Sequence, residues 1–107
     1  MNVKQFIAIT FQDGKEYQQR NRIFCKDGFN VSVQGSKGHY CQPRHDVKEY
    51  SSLELGFPSE EEILINEYAE SVLNPTETVY GWTPIEVIEQ VVEKHGGIDI
   101  DKTFKLK

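Results

Sequence analysis

The chain has 107 residues, a formal net charge of −5 and only two cysteines. That length predicts a single domain, 1–107, able to close one core without disulfide staples. Lys4 near the start, with no long apolar run, argues against a signal peptide, and no stretch approaches the ~20 apolar residues of a membrane span. A cytoplasmic protein with reduced thiols is therefore expected, with no membrane partner.

The charge is unevenly spread. Residues 1–48 carry eight Lys/Arg and four Asp/Glu, and residues 49–107 carry four Lys and thirteen Asp/Glu, giving +4 and −9. Such a division points to a field that faces a partner.

In chain order, Gln5 to Gln12 alternates Ile7, Ile9 and Phe11 with Ala8, Thr10 and Gln12, which predicts a strand. Asp13-Gly14 predicts a tight hairpin turn into a partner strand over Lys15 to Gln19. Arg22 to Lys26 reads as a short strand, and Asp27-Gly28 as a second turn of that type. Phe29, Val31 and Val33 alternate with polar residues through the next strand. QGSKG, residues 34–38, predicts a loop. His39 to Gln42 resumes the sheet, and Pro43 ends it.

Tyr50 to Phe57 alternates through Leu53, Leu55 and Phe57, until Pro58-Ser59 breaks the strand. Ser59 and Glu62 have capping-box spacing ahead of Ile63, Leu64, Tyr68 and Ala69, which predicts a short helix. Glu77 to Trp82 is the last clear strand. Ile98 to Leu106 reads as an edge strand or a tail.

Thr83 to Gly97 is the best-specified stretch. Thr83 suits the N-cap, Pro84 the first helical position, and Glu86 completes a capping box. Ile85, Ile88, Val91, Val92 and His95 share one face. Lys94 and His95 complement the negative helix end, and Gly96 suits a left-handed stop with Ile98 packing back. Strands mostly preceding one good helix predict an α+β fold. The expected form is an antiparallel sheet of about five or six strands, with one main C-terminal helix on one face and a short second helix.

Cys25, His39, Cys41 and His45 are the right ligand types for a tetrahedral zinc, though no C-x2-C or H-x3-H pair occurs. The same residues could serve thiol–histidine catalysis, with Arg44 lowering the Cys41 pKa. The plainer reading is two small buried hydrophobes and two surface histidines, with no metal, no cofactor and no enzyme. An acidic set, Glu54, Glu60, Glu61, Glu62, Glu67, Glu70 and Glu77, offers a surface for a basic partner. Glu60, Glu61, Glu62, Glu67 and Glu70 are its expected contact residues. A basic set, Arg20, Arg22, Lys26, Lys37, Arg44 and Lys48, lies near Tyr17 and Tyr40 and could stack bases. Overall acidity and the lack of an RNP-like motif make nucleic acid the less favoured ligand.

The segments FNVSVQ, HYCQPR, LELGFPS, TVYGWTP and EKHGGID together resemble small proteins encoded by phages and prophages, over roughly residues 22–100. No chemistry is assigned to those proteins, so the resemblance carries over no catalytic residue. It implies an accessory protein that binds and blocks host machinery, CRISPR effectors among the candidates.

Overall fold

The computed structural model describes residues 1–106. The order is α1 (Val3–Ile9), β1 (Ile23–Phe24), β2 (Asn30–Gln34), β3 (Ser52–Gly56), a 3-10 helix (Ile63–Tyr68), β4 (Val79–Pro84), α2 (Ile85–Lys94) and α3 (Ile100–Phe104). The strands form one antiparallel sheet in the order β1-β2-β3-β4. The α+β class is as expected, but the sheet has four strands rather than five or six, and helix is not confined to one main element. No helix of the described residues is long and apolar enough to cross a membrane.

The N-terminal stretch is the main correction. Of the residues expected as a strand over Gln5 to Gln12, Gln5 to Ile9 lie in α1 instead, and Thr10 to Gln12 follow it without forming a strand. Asn2 and Gln5 make reciprocal capping bonds, Asn2 Oδ1 accepting from Gln5 N and Gln5 Oε1 from Asn2 N, both at 2.8 Å. Val3, Phe6 and Ile7 then share a buried face at i, i+3 and i+4, while Ile9 is exposed. Seven residues are too few for a self-sufficient helix. Two of its orphan amides, Val3 N and Lys4 N, donate to Glu89 of α2 at 2.8 and 3.2 Å. Asp13-Gly14 does turn, but Lys15 to Gln19 forms no strand.

The second predicted turn is a true hairpin. Cys25 N donates to Phe29 O at 2.7 Å, and Gly28 takes φ +101°. This joins β1 to β2, in register Ile23↔Val31. β2 pairs with β3 at Val33↔Leu55, and Gln42 then continues the edge by bridging Ser52. β3 pairs with β4 through a bulge: Leu53 faces Thr83 and Leu55 faces Tyr80, so Gly81 and Trp82 together oppose Glu54.

Both sheet rims are occupied over part of their length. Ile98 bridges Cys25, and Asp99 N donates to Phe24 O, beside β1. Ala69 bridges Tyr80, and Glu70 N donates to Val79 O, beside β4. After the Ile98 bridge the tail forms α3, not an edge strand, with Asp99 as its N-cap.

α2 keeps its predicted buried residues Ile88, Val91 and Val92. Its start differs by one residue. Pro84 is the N-cap with no side-chain bond, because Thr83 is still in β4 and its hydroxyl donates to Tyr80 O at 3.1 Å. The core collects Phe6 and Ile7 of α1, Ile23, Val31, Val33, Leu53, Leu55 and Tyr80 of the sheet, Ile65, and the buried face of α2.

Candidate interaction site

Residues 60–77 run from the end of β3 to the start of β4. No Lys, Arg or His occurs anywhere between residues 49 and 93. Glu60, Glu61, Glu67, Glu70 and Glu77 are exposed. Among them Ile63, Val72 and Leu73 project into solvent, Leu73 at 89% exposure. Exposed apolar side chains interspersed with exposed glutamates along one segment are unlike a merely solvated face, which would carry polar groups there.

The expected contact set Glu60, Glu61, Glu62, Glu67 and Glu70 is corrected at one member. Glu62 is only 2% exposed and points inward. It is the N-cap of the 3-10 helix and accepts from Leu64 N at 2.9 Å. Its Oε1 also lies 2.7 Å from His95 Nε2 and 2.9 Å from Lys94 Nζ. His95 Nδ1 in turn meets Asp27 Oδ2 at 2.6 Å, and the ring stacks on Phe29 at 4.1 Å. A neutral imidazole has one N–H, so two carboxylates on its two nitrogens require the imidazolium. Burial works against that charge, but the bonds to Glu62 and Asp27 outweigh it and raise the His95 pKa above 6.5. Burial likewise works against the Glu62 carboxylate, and is outweighed by the Leu64 amide, His95 and Lys94, so its pKa is lowered. The Phe29 amide, then His95, lowers that of Asp27.

This cluster fastens the acidic segment to the C-terminal end of α2 and to the β1–β2 turn. Further along, Glu70 N and Ser71 N are held by Val79 O and Thr78 Oγ1 at 2.9 and 3.0 Å. The segment is thus an anchored display. Sequence reasoning missed the anchor because its members lie 33 and 68 residues apart. The available signal was a histidine on the apolar face of a helix, which needs buried partners.

The cysteine–histidine set does not converge. Cys25 lies buried beside Ile98, and burial followed by Asp27 pushes its thiol up to about 11. Cys41 is buried too, its thiol facing the carbonyls of Ser36, Pro43 and His39 at 3.2, 3.4 and 3.5 Å. Burial raises its pKa, the reverse of an activated thiol. His39 bonds Ser36 Oγ at 2.6 Å, not Cys41, and burial lowers its pKa. His45 is exposed. Among the described residues no group of three or more His, Cys, Asp or Glu is placed to hold a metal.

The basic set also divides. Arg20 is 5% exposed and donates to Ile7 O at 3.2 Å, Gly35 O at 2.7 Å and Thr10 Oγ1 at 2.9 Å. It caps the end of α1 and cannot meet a ligand. Arg22 is spent on Asn30 and on Phe57 O. Lys26, Arg44 and Lys48 remain exposed, and Lys37 is half-buried. Comparison with family models, with curated proteins and with solved structures found no match in any of the three.

Proposed function

We propose that the protein is a non-enzymatic binding protein of phage type, acting in the cytoplasm of a bacterial host. Its partner is a basic protein or nucleoprotein complex, and binding inhibits a nucleic-acid-handling defence system, as an anti-CRISPR does. The observation that carries the reading is the anchored segment 60–77, where Ile63, Val72 and Leu73 stand exposed among Glu60, Glu61, Glu67, Glu70 and Glu77. Carboxylates steer a basic surface and set the on-rate, while apolar side chains supply the desolvated contact. The phage resemblance supplies the biological setting.

The test is a pull-down from bacterial host lysate at low and high salt, with Leu73→Asp and a Glu60/Glu61/Glu67/Glu70→Gln variant alongside. A specific partner should leave as salt rises. Leu73→Asp should weaken it tenfold or more, equivalent to ~1.4 kcal/mol. A partner indifferent to salt and to both variants, or no partner, would rule out this surface.

A further inference from the structure

Trp82 is the only tryptophan in the chain and is 52% exposed. It sits in the β3–β4 bulge at φ +50°, a left-handed conformation that favours glycine or asparagine. Its amide leaves the ladder and donates to Tyr40 O at 2.9 Å. The indole stacks on the Tyr40 ring at 4.9 Å, with planes 23° apart. Gly81 permits the approach, since a Cβ there would lie 3.2 Å from Tyr40 Cβ. Tyr40 is fixed from below by its own amide, which donates to Glu54 Oε2 at 2.9 Å. The guanidinium of Arg44 lies over the Tyr40 ring, 5.3 Å from its centre.

The pattern repeats along the same loop. Lys37 Nζ lies 4.9 Å from the centre of the Tyr17 ring, and Lys48 Nζ 5.6 Å from that of Phe11. Nearby acids are engaged: Glu16 with Lys37, Asp46 with the amides of Tyr17 and Gln18, Glu54 with the amide of Tyr40. Among the described residues neither Arg44 nor Lys48 makes an ion pair. Residues 37–48 therefore carry three cations, Lys37, Arg44 and Lys48, against the single carboxylate Asp46, with an aromatic ring beside each cation, on a protein that is acidic overall.

Core packing does not require an indole at this position. Burial holds half of it, and the backbone suits a residue without a large side chain. The geometry points to a second binding surface, for single-stranded nucleic acid: a base stacks on Trp82, and the adjoining phosphates run along Arg44 and Lys48. Stacking on an aromatic platform tolerates any base, and the cations neutralise the backbone. A duplex keeps its bases stacked inside and offers none to the ring. This surface stands independently of the acidic segment, whose variants leave it intact.

Because Trp82 is the sole tryptophan, its emission reports on this site alone. Titration with a short oligothymidylate at low salt should quench it saturably. Added salt should restore it, and a matched duplex should quench far less. Binding of a labelled oligothymidylate should weaken about five- to 150-fold in Trp82→Gly, the range for losing one stacked base. Trp82→Asn, equally suited to the left-handed backbone, should repeat that loss if the glycine variant fails to fold. Arg44→Gln should lower affinity and reduce the salt slope by about one phosphate contact. Emission unchanged at saturating oligonucleotide would overturn the assignment. So would unaltered affinity in the Trp82 variants, or quenching by a protein partner and not by the single strand.

Discussion

Arg20 and Glu62 are both buried charges, yet their partners differ in kind. Arg20, from the basic half, is surrounded mainly by neutral oxygens: the carbonyls of Ile7, Gly35 and Val47 and the Thr10 hydroxyl. Glu62, from the acidic half, is surrounded by cations, Lys94 and His95, beside the Leu64 amide. The first arrangement terminates a short helix and joins it to the loop after β2. The second fastens a surface segment through groups that titrate. Charge read along the chain therefore says little about which side chains remain free to meet a partner. Arg20 and Arg22 of the predicted basic set, and Glu62 of the acidic one, are consumed in holding the fold.

The contrast can be broken by removing each charge. Glu62→Ala leaves His95 buried with one carboxylate fewer, and should cost about 3–5 kcal/mol in chemical denaturation. Amide exchange in residues 63–71 should accelerate with it, since the N-cap and the anchor go together. Arg20→Met keeps the bulk but strips acceptors at the end of α1, at a cost of about 2–3 kcal/mol. Its stability loss should be the same across neutral pH, because the guanidinium does not titrate there.

The smallest effect sharpens the comparison through pH. His95 has a raised folded pKa, so its contribution is complete below the unfolded value of 6.5 and is lost as pH rises through the folded one. Glu62 and Asp27 have lowered folded values. Their contribution is complete above their unfolded values of 4.5 and 3.8, and is lost as pH falls through the folded ones. The cluster should therefore stabilise most between pH 4.5 and 6.5. The alkaline decline should be up to ~2 kcal/mol, the upper range for an imidazolium at a helix C-terminus. Melting curves across pH should show this decline in the parent and not in His95→Gln. Arg20→Met should retain it.

What the sequence made legible follows from the range of the interactions. β2 and β3 came from alternation, and the β1–β2 turn from Asp27-Gly28, all local signals. α2 came from four apolar positions and His95 on one face, although its cap was placed one residue early because Thr83 is still in the strand. α1 was misread because Ile7, Ile9 and Phe11 fit a period of two as well as Val3, Phe6 and Ile7 fit a helical one. The reciprocal Asn2–Gln5 spacing was the local signal that separated them. Tertiary contact decided it, since Glu89 supplies the partner for the first amides. At the candidate site, exposure of Glu60, Glu61, Glu67 and Glu70 agreed with their charge. The inward turn of Glu62 did not show, because its partners are remote in sequence.

The occupied rims of the sheet narrow how anything docks here. An extended segment from another protein, seeking to lengthen the ladder, would find the amides of Glu70 and Asp99 already bonded inward to Val79 and Phe24. Backbone zippering of the kind that peptide-recognition domains use is blocked along those stretches. Along those stretches selectivity resides in protruding groups and their spacing, which makes recognition there sensitive to single substitutions in a way main-chain pairing is not.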